Sequence, residues 1–185
     1  MPRSRLGLRL LKQALEGLSL DPRELAGFWR VGFPDRDLLD PTRSREHFGR
    51  WHNPTMTGAL YFAAELSTAL QELHAHLDPP FPEVVQTVEA TVRLHRLLDL
   101  TVRRSGSPLA RHCDRALADT PRAFFRGALL GEAAFRKGAD GVLVQCLRGP
   151  GACLCVFSDA TPPPSVVVTA RHLMPAPWDK DGNLA

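Results

Sequence analysis

The order of apolar patterns along this chain predicts an α+β fold, a mixed, mostly antiparallel sheet flanked by helices. Two observations carry that prediction. Segments with strand character alternate with segments of helical spacing. Some neighbouring strands, however, are joined by connections too short to hold a crossover helix, which a doubly wound parallel sheet needs at every step.

The elements follow in order. Leucines 8, 11, 15 and 18 have helical spacing and predict an amphipathic helix over about 5–18. Asp21-Pro22 then breaks the chain, and residues 25–31 form a short apolar strand. Residues 33–48 are polar and carry two prolines, so they read as a long loop, a length that in compact domains often serves function. Residues 58–63 (GALYFA) predict a buried strand that feeds a helix over 65–77, ended by Pro79-Pro80. From Val84 to Leu94 the pattern alternates. Val88, Ala90, Val92 and Leu94 face one way, and Glu89, Thr91, Arg93 and His95 the other, as in a half-buried strand.

Two helices are expected over 107–118 and 121–137. Pro121 suits the first turn of the second, and Gly138 its C-terminal end. Apolar strands at 141–147 and 152–157 flank the turn Arg148-Gly149-Pro150-Gly151. Prolines 162–164 make a stiff spacer before a last strand at 165–170. This gives an N-terminal helical extension (1–20), one main domain (21–175) and a loose C-terminal tail (176–185).

Composition narrows the function classes. The 185 residues are 44% hydrophobic, enough for a core, and the net charge of +3 is scattered rather than gathered into a basic face, so direct nucleic-acid binding is not expected. No run approaches the roughly 18 apolar residues of a membrane span, and the N-terminal leucines are interrupted by Gln13 and Glu16, unlike a signal peptide. Cys113, Cys146, Cys153 and Cys155 lack metal-ligand spacing and are expected to be reduced thiols in a cytoplasmic protein. The histidines 47, 52 and 74 have no regular ligand spacing and read as polar surface, so no metal is expected. Glycine-rich nucleotide loops, a Gly-x-Ser-x-Gly elbow and His-Glu-x-x-His are all absent from the sequence.

What remains is a set of residues that could do chemistry together. Arg30 follows the first strand, Arg50 lies between Gly49 and Trp51, Tyr61 is the single tyrosine, and Glu72 is on the following helix. Taken singly, each fits an ordinary structural role. In order they resemble a known family. Arg-Val-Gly at 30–32, Gly-Arg-Trp-His-Asn-Pro at 49–54, the GALYFA strand and Ala-Leu-Gln-Glu at 69–72 look like the RES domain, named for an arginine, a glutamate and a serine. The likeness runs over about residues 25–170 and is looser toward the C-terminus.

The resemblance implies an ADP-ribosyltransferase-like fold and a toxin of a toxin–antitoxin pair. Such a toxin cleaves the nicotinamide–ribose bond of NAD+ and passes ADP-ribose to water, phosphate or a protein. The implied partner is an Xre-like helix-turn-helix antitoxin, and the N-terminal helix leaves room for a homodimer. On this reading Glu72 favours the positive charge that develops on the ribose. Arg50 and Arg30 grip the pyrophosphate, Tyr61 stacks on the nicotinamide ring, and Trp51 braces the loop. One departure stands out. Where the family has its serine, this chain has Cys146, a weaker hydrogen-bonding group. Cys146 is therefore a nucleotide contact in place of the serine or a small core residue. An enzyme acting on free NAD+, a transferase for one protein target, and a weakly active or inactive nucleotide-binding relative all remain open.

Overall fold

The computed structural model describes residues 9, 11–101, 108–118, 120–179 and 181–183. The elements are α1 (11–16), β1 (Asp21–Gly32), β2 (Ala59–Ala63), α2 (Leu66–His74), β3 (Val84–Asp99), α3 (Pro108–Ala116), α4 (Pro121–Lys137), β4 (Gly141–Gln145), β5 (Ala152–Phe157) and β6 (Ser165–Pro175). Part of the expected first helix lies outside the described residues.

The six strands run in the order β1-β2-β5-β4-β3-β6, and β1 also pairs with β3. That extra pairing closes the sheet on itself, with β6 left outside against β3. All pairings are antiparallel except β3 with β4, so the mixed, mostly antiparallel sheet predicted from sequence is the sheet found. The closure is loosest between β1 and β2, which meet at Trp29 and Ala63.

Alternation sorts the side chains into layers. Phe28, Phe62, Val88, Val92, Leu143 and Leu154 fill the interior, and Leu38 of the 33–48 loop plugs it. Leu60 and Phe62 point inward from β2, while Ala59 and Tyr61 point outward to a second core. There Val142, Cys155 and Phe157 pack against Leu15, Leu109 and Leu130 of the helices. Each fully buried Leu, Val or Phe contributes roughly 1.5–3 kcal/mol, so this double-sided burial is what fixes β2, β4 and β5 between the two layers. Buried Asp140 accepts the N–H groups of His95 (2.6 Å) and Arg96 (3.1 Å), securing the start of the parallel β3–β4 pair.

Several boundaries differ from expectation. Asp21-Pro22 does not break the chain; β1 begins there, with a register shift between Asp21 and Arg23 that accommodates the proline's missing N–H. β3 runs on to Asp99 because its far end changes role. Leu97 faces the interior and Leu98 the helices, which ends the simple alternation. β6 extends to Pro175 through polar Arg171 and His172, since an edge strand need not bury both faces. The helix after β2 stops at His74 rather than continuing to Leu77. The segment after β6, expected to be loose, carries Trp178, 6% exposed, whose indole N–H donates to the Pro82 carbonyl at 3.0 Å. His74 lies beside both Trp178 and Phe81 and bonds the Gly182 carbonyl at 2.8 Å.

Candidate active site

The Gly49-Arg50-Trp51-His52-Asn53 loop is laid directly on α4. Gly127 and Gly131 are four apart, hence on one helix face. A Cβ at Gly127 would run into the Arg50 carbonyl, and one at Gly131 into the Trp51 carbonyl. Two glycines thus let loop backbone touch helix backbone. Trp51, 3% exposed, enters the helical core, and the Asn53 amide donates to Glu132 at 3.2 Å. The Arg50 guanidinium donates through Nη1 to the carbonyls of Ala116 (2.9 Å) and Ala118 (3.0 Å) and lies over the Phe124 ring. It thereby places a cation at the negative C-terminal end of α3.

Tyr61 ties this loop to the sheet. Its hydroxyl accepts the Trp51 N–H at 3.0 Å and meets His52 Nδ1 at 2.8 Å. His52 Nε2 lies 2.7 Å from the Ser44 carbonyl. A carbonyl can only accept, so Nε2 carries the proton, Nδ1 is the bare nitrogen, and the tyrosine hydroxyl donates to it. Burial pushes the Tyr61 hydroxyl well above its ordinary value, with Cys155 acting the same way and the Trp51 N–H and Arg30 opposing. Burial also lowers His52, against its bonds to the Ser44 and His47 carbonyls. Tyr61 is thus a neutral phenol and His52 a neutral imidazole. His52, read from sequence as surface, is 2% exposed.

Arg30 sits where β1 and β2 part. Its Nη1 donates to the Tyr61 carbonyl at 3.0 Å, while its buried Nε has no partner. Burial lowers Arg30 to about 10, and Tyr61, Cys155 and Asp37 counteract this. Cys155 is itself pushed up to about 12 by burial, with Tyr61 and Arg30 moderating the rise. Arg30 is still cationic at neutral pH, with one hydrogen-bond donor unspent.

Glu72 belongs to a neighbouring cluster. Its carboxylate lies 3.8 Å from Arg148 Nε in the β4–β5 turn. The same turn receives the Thr68 hydroxyl on the Pro150 carbonyl at 2.9 Å, so α2 rests on the hairpin tip. Cys146 closes that hairpin. It is disulfide-bonded to Cys153, with Cα atoms 5.1 Å apart, within the reach of such a bond. The expectation of four reduced thiols is corrected here: Cys113 and Cys155 are buried thiols outside any disulfide, and Cys146 has no S–H to offer a ligand. The physical reason is the register of the hairpin: Val144 pairs with Cys153 and Gln145 with Ala152, which brings Cys153 beside Cys146, and the turn composition alone did not fix that register.

Arg30 and Tyr61 therefore meet, and Arg50, Trp51 and His52 join them through the loop. Glu72 and Cys146 stand at the adjoining hairpin. Among the described residues no group of three or more His, Cys, Asp or Glu side chains could hold a metal, and no helix is long and apolar enough to cross a membrane.

A family model for the RES domain matches residues 27–179, most of the chain and the whole of this site. The chain belongs to the RES family. Among solved structures, this RES protein is similar to a chain of the M. tuberculosis MbcT–MbcA toxin–antitoxin complex, with a TM-score of 0.68 over 92% of this chain and 93% of that one. The two are 22% identical, so the likeness establishes the shared fold, an α+β architecture with a mixed, mostly antiparallel sheet. No curated protein matches the sequence.

Proposed function

We propose that this RES protein is a toxin that cleaves the nicotinamide–ribose bond of NAD+ and is held inactive by a cognate antitoxin. The observation that carries the reading is Arg30: a half-buried cation at the β1–β2 parting, whose Nη1 is fixed on Tyr61 while its buried Nε has no partner. A buried donor left open costs stability, and such sites cluster where ligands bind. A dinucleotide, with several hydrogen-bond acceptors along its length, suits that donor.

Glu72 is the carboxylate for the reaction. Its contact with Arg148 is long, at 3.8 Å, only partly exposed and worth at most about 1 kcal/mol, so a ribose hydroxyl can replace it at little cost. Bond breaking sends the electron pair to the nicotinamide nitrogen and leaves positive charge on the ribose. A carboxylate hydrogen-bonded to that sugar favours the charged transition state over the ground state. The leaving group departs neutral, so no strong general acid is needed.

Arg50 and Tyr61, first considered as direct ligands, take framework roles in this proposal, since their polar groups hold α3 and the 49–53 loop. Cys146 takes a similar role, closing the hairpin beneath Glu72. The antitoxin is expected to be Xre-like and to cover the β1–β2 mouth. The M. tuberculosis relative was crystallised in a toxin–antitoxin complex, which supports an antitoxin as the partner.

The test is incubation of purified, antitoxin-free protein with NAD+ and with labelled NAD+ in lysate. Release of nicotinamide, lost in Glu72→Ala, supports the reading. Label on one protein band assigns the ADP-ribose to a protein acceptor. Binding of NAD+ without turnover makes the chain an inactive relative.

A further inference from the structure

Two buried side-chain atoms near the parting of β1 and β2 have no hydrogen-bond partner: Arg30 Nε, a donor, and Gln86 Oε1, an acceptor. They belong to adjacent strands. Arg30 is paired with Val88 and Gly32 with Gln86, so all four side-chain positions share one face of the β1–β3 pair. Val88 on that face belongs to the interior, which makes it the inward face. An unmade hydrogen bond at either atom costs on the order of 1–3 kcal/mol, and two of opposite sense on one face call for a common explanation.

One of the four positions on that face carries no side chain of its own. Gly32 stands directly across from Gln86 and presents no side chain. What lies over it is Leu38 Cδ2, the far end of a flexible side chain from the 33–48 loop. Leu173 of β6, paired with Gln86, continues the same face and is 67% exposed. With Leu38, 5% exposed, swung off Gly32, the position becomes a slot with glycine backbone as its floor, an N–H on one side, a carbonyl oxygen on the other and leucine at its rim.

A phosphate would use the donor but repel the acceptor, because it has no hydrogen to give. A carboxylate fails for the same reason. A primary carboxamide on an aromatic ring answers both: its oxygen accepts from Arg30, its NH2 donates to Gln86, and its ring lies over Gly32. We propose that Gln86 is a specificity-determining residue of the NAD+ site, reading the nicotinamide carboxamide together with Arg30 Nε in a slot floored by Gly32. This rests on the NAD+-cleaving reading and adds a residue to it. It also gives Arg30 a part in catalysis. As the glycosidic electron pair returns to the ring nitrogen, electron density rises on the carboxamide oxygen, where the Arg30 N–H stabilises it.

The experiment measures binding of nicotinamide and nicotinic acid to wild type and Gln86→Leu by calorimetry or ligand-observed NMR. Turnover of NAD+ and of its nicotinic acid analogue is measured beside it. Wild type is expected to favour the carboxamide in both assays by about ten- to hundredfold, and Gln86→Leu to lose that preference. The melting temperature of ligand-free Gln86→Leu should equal or exceed that of wild type, since an unpaired buried acceptor has been removed; a residue with a purely structural role would lower it. An unchanged preference in Gln86→Leu, or none in wild type, overturns the slot while leaving NAD+ cleavage standing. A Gln86-dependent preference for nicotinamide without NAD+ turnover supports the slot and sinks the cleavage reading. Binding of neither compound overturns the slot. A melting temperature well below wild type with an unchanged preference means that Gln86 bonds a buried water, and overturns it too.

Discussion

Replacing Tyr61 with phenylalanine separates two roles that the sequence alone could not. If Tyr61 serves only as a flat ring for the ligand, Phe preserves it. If its hydroxyl is the joint between the 49–53 loop and the sheet, removal leaves two buried groups without partners: the Trp51 N–H, now 3.0 Å from the hydroxyl, and His52 Nδ1, now 2.8 Å from it. Each loss costs about 1–3 kcal/mol when the abandoned group stays buried. Some relaxation is available to His52, so about 2–4 kcal/mol in total is a fair expectation. For a domain of this size 1 kcal/mol moves the melting temperature by about 2–4 °C, which places Tyr61→Phe about 5–15 °C below wild type. Thermal unfolding followed by circular dichroism measures it, with Trp51 fluorescence as a local probe in a Trp29→Phe/Trp178→Phe background. A melting temperature within about 2 °C of wild type would refute the joint and return Tyr61 to the role of a ring platform.

Other expectations follow from the same contacts. Gly131→Ala gains about 0.8–1 kcal/mol of helix propensity yet drives a methyl into the Trp51 carbonyl. It should lower stability in denaturant titration by about 1–3 kcal/mol net of that gain, and a stabilised variant would show that the loop does not lie on α4. His52 sits below its unfolded value of 6.5 because burial disfavours its charge. The unfolded chain therefore binds the proton first as pH falls. The contribution is complete above pH 6.5, is lost on acidification below it, and should disappear from the pH–stability curve in His52→Gln. Peptide mapping without reductant should recover Cys146 and Cys153 joined across the tryptic site at Arg148; two separately alkylated thiols would contradict the pairing.

How far the sequence could be read depended on whether the signal was local. α4 was legible to the residue, because Pro121, the apolar spacing and Gly138 are neighbours in sequence. β2 was legible because both of its faces are buried. β6 was cut short, since an edge strand does not advertise itself by alternation, and Trp178 was left in a loose tail, since its cover comes from α2 and Pro82. The site divided in the same way. The order Arg30, Arg50, Tyr61, Glu72 pointed to the family. The contacts depend on how the chain turns back on itself, which residue order does not give: Arg50 reaches the distant end of α3, His52 joins Ser44 to Tyr61 within one loop, and the β4–β5 hairpin sets Cys153 beside Cys146. One signal was available and passed over. Gly127 and Gly131 at helical spacing mark a face on which another backbone can rest.

The central claim is that this fold cleaves NAD+ with Glu72 as its carboxylate. The direct measurement is nicotinamide release from NAD+ by purified, antitoxin-free wild type and by Glu72→Ala, with melting temperatures taken in parallel. The account predicts steady release by wild type and a loss of roughly a hundredfold or more in the variant at nearly unchanged stability. Intact NAD+ after prolonged incubation with folded wild type, or equal release by Glu72→Ala, would contradict it.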